Sequence, residues 1–349
     1  MPESESSSPR LSLRDIAKEL GVSHSTVSLA LRDHPRISKE VKEKVRRKAE
    51  ALGYQPDPML AALAHYRREK SSKPISACLG WINAWQRPEE LRALKEFDLY
   101  WKGAYAAAAK FGYRLEEFRL GGEFTPKRLH QILQARGIRG LLLPPHAENP
   151  DWGDFPWEHY SLVRFGRSLH EPRSHLVTSD QVANTILAFQ RIRELGYPRI
   201  GFVTNEIAMS ERGHLFEAGF LVAQRLIDEN LRLPVFVTSQ FKMTDRPKAF
   251  TAWVKKHKPD AILTDMPEVP DLIKHAGLRV PEDIGLAVTS ILDARADAGI
   301  DQHSEEIGRV GFLMLNSVIN DGVRGIPSIF RQILVEGGWV DGSSLPRRR

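Results

Sequence analysis

One cysteine, Cys78, among 349 residues leaves no internal disulfide to hold the fold, and it provides no group of thiols for a structural zinc site. The histidines show neither an HExxH spacing nor a Cys/His cluster, so no metal is expected. GxSxG and GxxxxGK[ST] are both absent, which removes a nucleophile elbow and a phosphate-cradling loop. No apolar run reaches the roughly 18 residues of a membrane span. The opening MPESESSSPRLSLRDIAKEL lacks the apolar block of a secretory signal. These absences predict a cytoplasmic protein that is not an enzyme, needs no cofactor and meets no membrane. An adjacent carboxylate pair such as Glu305-Glu306 reads as helix surface, and the closing LPRRR as a frayed basic tail.

What is present is ordinary in amount and uneven in place. With 42% hydrophobic and 27% charged residues the chain can bury a sizeable core, and its length suits two or three domains. Residues 1–73 hold 15 Lys and Arg against 10 Asp and Glu, whereas the rest hold 35 against 34. A basic front end on a nearly neutral body points to a polyanionic partner for the front.

The front end reads as three short helices. Ser12-Leu13-Arg14-Asp15 has capping-box spacing and is followed by Ile16, Ala17 and Leu20 at helical intervals. Gly21-Val22-Ser23 then breaks the chain, with Gly21 free to take a positive φ and Ser23 placed to cap a second helix from about His24 to Arg32. That is a helix-turn-helix. Pro35 stops the second helix and Ser38 can cap a third, lined on one side by Val41, Val45, Ala49 and Leu52. In the second helix Thr26, Val27, Ala30 and Leu31 form the inner stripe; His24, Ser25, Ser28, Leu29 and Arg32 form the outer one. Small polar residues at its start suit a helix entering a major groove end-on, where bulk prevents approach to base edges.

The stretch LSLRDIAKELGVSHSTVSLALRDHPRISKEVKEKVRRKAEALGYQPD resembles the amino-terminal domain of the lactose-repressor (LacI/GalR) transcription regulators. The resemblance implies a sequence-specific DNA-binding regulator, most simply a ligand-responsive repressor acting as a homodimer on a near-palindromic double-stranded operator. Carried over by position, it puts Arg14, His24 and Ser25 at DNA contacts, with Arg36 and Ser38 at further base or phosphate positions. The family's usual arginine after TVS is Leu29 here, so a guanine contact is not inherited at that point. Leu29 can touch a thymine methyl or pack inward, and Arg32 is a replacement reader.

Next, YQPDPMLAALAHYRREKSSKP carries Pro56 and Pro58 ahead of an alanine-rich helix-former from Met59 to Arg68. Its ten or so residues fall below the about 12–15 that an isolated helix needs, so it should be coil until something holds it. In the family the equivalent hinge helix orders on DNA and drives a leucine into the minor groove. Leu63 is the matching residue, and an apolar wedge can kink a base step.

From Ile75 strand-like and helix-like segments alternate: ISACLGWI, a helix to about Phe111, YRLEEFRL, TPKRLHQILQARG, IRGLLLPP, HYSLVRFG, a helix after Asp180, RIGFVTN, a helix through Asn230, LPVFVTS, DAILTD and DIGLAVTS. Repeated βα units imply parallel sheets with helices on both faces. The stretches VTSDQVANTILAFQRIRELGYPRIGFVT, GLRVPEDIGLAV and AGIDQHSEEIGRVGFLMLNSVIN resemble the family's body, a periplasmic-binding-protein type of fold. The expected organisation is an all-α helix-turn-helix domain (1–56), a hinge and linker (57–73), and a two-lobed α/β effector-binding and dimerisation domain (74–345). One lobe is expected to hold about 74–195 and 303–325, the other about 196–302 and 326–345.

The cleft departs from the family's pattern. Its effector-gripping arginine aligns with Phe216, the usual Asn-Asp pair is missing near Asp265, and an expected aspartate falls at Ser290. Sugars need paired polar groups, and buried groups left without partners are costly, so a customary sugar or purine effector is not inherited. Trp85, Phe97, Asp180 and Arg212, with Asp265 and Ser290, are the effector candidates; Trp85 and Phe97 read equally as core or interface. Two other readings are a regulator whose body no longer responds to a ligand and a solute-binding transport component. The latter would need a signal peptide and has no use for residues 12–54.

Overall fold

The computed structural model describes residues 13–31, 37–52, 77–146, 148–206 and 214–348, without the side chains of Arg14 and Ser28. The chain parts into two compact units, one of Met1–Ser76 with Val318–Val323, the other of Ala77–Ser317 with Arg324–Arg349.

In the first unit α1 (Leu13–Leu20), α2 (His24–Leu31) and α3 (Lys39–Ala51) share one core. Ile16, Val27, Ala30, Val45 and Ala49 are buried in it, with Leu20, Leu31, Val41 and Leu52 packed alongside. These positions recur three and four residues apart, so each helix turns one apolar stripe inward. Gly21 takes φ +63° and lets Val22 N–H reach Ala17 O at 3.1 Å, closing α1 before the turn.

The second unit is built on two six-stranded sheets. In order along the chain the strands are β1 (Ala77–Asn83), β2 (Tyr113–Arg119), β3 (Gly140–Leu143), β4 (Ser161–Phe165), β5 (His175–Ser179), β6 (Ile200–Thr204), β7 (Phe236–Val237), β8 (Ala261–Thr264), β9 (Gly285–Val288), β10 (Gly299–Asp301), β11 (Gln332–Val335) and β12 (Gly338–Val340). The first sheet runs β11-β5-β4-β3-β1-β2 with every pairing parallel. The second runs β12-β10-β9-β8-β6-β7, parallel except for β10 against β12. Strands such as β3 and β4 are buried along their whole length, as expected where helices cover both faces.

Around them lie α4 (Pro88–Ala93), α5 (Lys95–Lys110), α6 (Pro126–Ala135), α7 (Gln181–Glu194), α8 (Leu215–Gln224), α9 (Arg246–His257), α10 (Val269–His275) and α11 (Ser304–Asn320). Neighbouring strand positions feed opposite faces. Ile82 joins Leu129 and Leu133 of α6, while Trp81 packs against Phe165, itself beside Tyr100 of α5. In the second sheet Phe202 meets Phe220 of α8, and Val203 lies with Phe250 and Trp253 of α9.

Several boundaries differ from expectation. The helix expected to run to Phe111 is two helices, because Leu94 takes an extended ψ of 117° once Leu91 is buried. The helix expected through Asn230 ends at Gln224, whose amide donates to Leu233 O at 2.8 Å, and only a 3-10 turn follows at Glu229–Leu231. The lobe limits also move. Ala188, Phe189 and Ile192 of α7 pack with Ile200 and Phe202, so the first crossing falls at Asp180 and not near 195. The second lies between Asp301 and Ser304. The third falls between Val335 and Gly338, since β11 pairs with β5 in the first sheet and only β12 joins the second. Arg347 and Arg348 are docked, with Arg347 Nη1 on Glu194 O at 3.1 Å, Arg348 N–H on Leu195 O at 2.8 Å and the Arg348 guanidinium on Asp260 at 3.0 Å.

Candidate functional site

Two features of the chain carry chemistry, one in each unit. In the first, Ser23 precedes α2 and its Oγ accepts Thr26 N–H at 3.0 Å, satisfying a free donor of the first turn. The same Oγ lies 2.8 Å from the hydroxyls of Ser25 and Thr26. His24 and Ser25 are exposed at this end, while Val27 and Ala30 behind them are wholly buried. Leu29 is half-buried and stands outside the shared apolar core. Ser38 Oγ accepts Val41 N–H at 3.4 Å as the cap of α3, a role that also leaves the residue exposed. Lys48 binds Glu19 at 2.9 Å, joining α3 to α1, and the outer side of α3 exposes Lys44, Arg46 and Arg47 together with Glu40, Glu43 and Glu50. Arg14 is in the first turn of α1 but its side chain is not described; neither is that of Ser28 in α2. Ser12, Arg32, Arg36 and Leu63 lie outside the described residues.

In the second unit a cavity of about 440 Å³ opens at the carboxyl ends of the strands of both sheets, where ligands of open parallel sheets bind. Trp85, in the loop after β1, and Phe97, in the first turn of α5, both line it, with ring centroids 6.3 Å apart. Trp85 is fixed at both ends. Its backbone N–H reaches Asn83 Oδ1 at 3.1 Å and its indole N–H donates to Pro145 O at 2.9 Å. Phe216, Asp265 and Ser290 are on the wall, and Ser290 Oγ is buried with no hydrogen-bond partner. Asp180 is not on the wall: its Oδ1 accepts Ala183 N–H at 3.0 Å as the cap of α7. Arg212 lies outside the described residues.

The sequence reading passed over other wall residues. Arg167, just past β4, donates from Nη2 to Gln332 Oε1 at 3.0 Å, while its Nε is buried without a partner. Burial lowers the pKa of this guanidinium, and the charge of Asp180 opposes that shift. His146 follows β3; burial pulls it down to about 4, and its Nε2 accepts Ala84 N–H at 3.0 Å, so the ring is neutral near pH 7. Tyr100 donates its hydroxyl to Glu96 at 3.0 Å, and burial, with Glu96 beside it, raises its pKa well above the usual phenol value. The available signal was position, because Arg167 and His146 both follow strands that line up at the cleft.

Among the described residues no helix is long and apolar enough to cross a membrane. Residues 12–57 match the family described as bacterial regulatory proteins, lacI family. The chain is 25% identical over 283 residues to the ribose operon repressor of Halalkalibacterium halodurans, with 78% of each chain covered. It is 23% identical over 338 residues to the HTH-type transcriptional regulator MalR of Streptococcus pneumoniae, covering 93% of this chain and 97% of that one. Its fold is similar to that of the transcriptional regulator CelR in a cellobiose complex, with a TM-score of 0.55 and 20% identity over 96% of this chain and all of the other. A helix-turn-helix that matches the lacI family of bacterial regulatory proteins, ahead of a two-lobed parallel-sheet body, makes the chain a DNA-binding transcriptional regulator similar to members of that family.

Proposed function

We propose that the chain is a ligand-responsive repressor that binds a near-palindromic operator as a homodimer. The observation that carries the DNA half is the exposed, small N-terminal end of α2, with His24 and Ser25 outward and Val27 and Ala30 wholly buried behind. In this reading His24, Ser25, Ser28, Leu29 and Arg32 meet base edges, Arg14, Arg36 and Ser38 hold bases or phosphates, and Leu63 enters the minor groove. Phosphate contacts supply affinity and base contacts specificity. The exposed apolar residues Leu221 (46%), Val222 (48%) and Leu226 (69%) on and just after α8 are consistent with self-association. An obligate pair of reading helices then explains a two-fold operator.

The cavity supports the ligand half. Its volume lies in the usual range for small-molecule sites, about 300–1,000 Å³, and its wall draws on the strand ends of both sheets. A small molecule held there shifts the balance between two body states only in so far as it binds one better, and operator affinity follows that balance. The relative CelR is described with cellobiose, which keeps carbohydrates in the panel to be tried. A second reading, a regulator whose body no longer answers to a ligand, is favoured by Phe216, an apolar ring on the wall at 6% exposure.

Selection of duplexes from a random pool with the full-length protein tests the DNA half. Recovery of an inverted repeat supports it, and recovery of no sequence preference contradicts it. Thermal shift and operator binding are then measured with a panel of sugars and organic acids. A compound that raises the melting temperature and changes operator affinity supports ligand control, whereas a flat response across the panel supports the second reading.

A further inference from the structure

The polar groups of the cleft wall are mostly spent on the protein itself. The indole N–H of Trp85 goes to Pro145 O, and Gln302 Nε2 donates to Thr289 O at 2.9 Å. Thr264 Oγ1 donates to Val203 O at 2.8 Å and accepts Met266 N–H at 3.0 Å. A polyol needs paired donors and acceptors along its length, and a wall with most such groups engaged, Ser290 Oγ and Gln181 Oε1 being unpartnered exceptions, supplies few such pairs.

Charge tells the other half. Of the cations lining the cavity among the described residues, Arg295 is held by both oxygens of Asp271, at 2.5 and 3.0 Å. Arg167 has no carboxylate within ion-pair distance among the described residues; its neutral partner is Gln332, and its Nε is buried with nothing to donate to. A partly buried guanidinium that feels the charge of Asp180 but makes no ion-pair contact is costly, and an anion that reaches it relieves that cost while accepting in its fork geometry. The wall's carboxylates are already engaged. Glu96 accepts the Tyr100 hydroxyl, Asp293 Oδ2 accepts Glu96 N–H at 3.4 Å, and Asp265 also has a partner. Trp85 and Phe97 offer flat apolar surface on the same wall.

We propose that the cleft's ligand is a small organic anion with a flat apolar body, its carboxylate held by Arg167 and its ring set against Trp85 and Phe97. This rests on the ligand-responsive reading above and narrows it. Ser290 Oγ, buried and unpartnered, is the further group free to bond the anion or a substituent on its ring.

Calorimetric titration of the full-length protein with benzoate, phenylacetate, 2-naphthoate and indole-3-acetate, each beside its primary amide, and with glucose and cellobiose, tests this. At least one acid binds about tenfold or more tighter than its amide, the gap expected of one charge-assisted hydrogen bond. Arg167→Gln abolishes that preference and Arg167→Lys keeps part of it. Unchanged amide affinity and an unchanged melting temperature show that the variants are folded. Acids and amides binding alike, or Arg167→Gln keeping the preference, overturn the proposal. Sugars that bind and alter operator affinity where the acids do not would also overturn it, yet leave ligand control standing. No binding by any of these probes removes both.

Discussion

Asn184 Oδ1 accepts the backbone N–H of Gly337 at 2.7 Å, tying the first turn of α7 to the third crossing between the sheets. At the same place His303 Nδ1 lies 2.9 Å from Glu336 O, and Asp180 N–H donates to Val335 O at 2.9 Å. The three passages of chain between the lobes are thus bonded to one another as well as to their own sheets. Asn184→Ala leaves the Gly337 donor without its partner and lowers unfolding stability by about 1–3 kcal/mol. Urea denaturation measures it, and an unchanged midpoint with an unchanged slope would show that the crossing does not depend on this bond.

His146 makes the body sensitive to acid. Burial sets its folded pKa at about 4, below the ordinary value of 6.5, so the unfolded chain takes up a proton first. Its contribution is complete above about pH 6.5 and is lost as pH falls towards 4, amounting to roughly 3 kcal/mol at full extent. His146→Gln can still accept Ala84 N–H through its amide oxygen and removes this titration. Stability measured from pH 7 to 4.5 falls less steeply in that variant; parallel curves would exclude His146 as a source of the slope.

α5 and α11 approach so closely that neither contact residue has room for a side chain. A Cβ on Gly308 would sit 2.1 Å from Tyr100 O, and one on Gly103 would sit 1.9 Å from Glu305 O. Gly308→Ala forces the helices apart and costs about 1–3 kcal/mol or more through overpacking, even though alanine is the better helix former. A melting temperature equal to that of the parent chain would contradict this packing.

The front end was legible because everything it needs is local: Gly21 at a positive φ, Ser23 and Ser38 as caps, and apolar stripes that close on one another. The βα alternation was legible for the same reason. Which sheet an element joins was not. α7 has a normal helical pattern, yet Phe189 and Ile192 pack against the second sheet although the helix directly follows a strand of the first. Periodicity says which face is apolar and nothing about what covers it. In the cleft, Trp85, Phe97, Asp265 and Ser290 were recognisable by type and by place after a strand or at a helix start, and all four line the cavity. Asp180 carried the same signal but caps α7, because an acidic residue before a helix serves its free N–H groups as readily as a ligand. Arg167 was missed since an arginine in a loop ordinarily points to water; its place after β4 was a weak signal, and its buried, unpartnered Nε is what the structure adds.

The most direct measurement of the central claim is fluorescence-anisotropy titration of the full-length protein, at one fixed salt concentration, on its selected duplex and on a scrambled one. The selected duplex should be preferred by about 10³ or more. His24→Ala and Ser25→Ala, both exposed on α2, should each lose about 1–3 kcal/mol on that duplex, with scrambled-duplex affinity and melting temperature unchanged. Equal affinity for the two duplexes, or variants that bind the selected site as the parent does, would contradict the assignment of α2 as the helix that reads DNA.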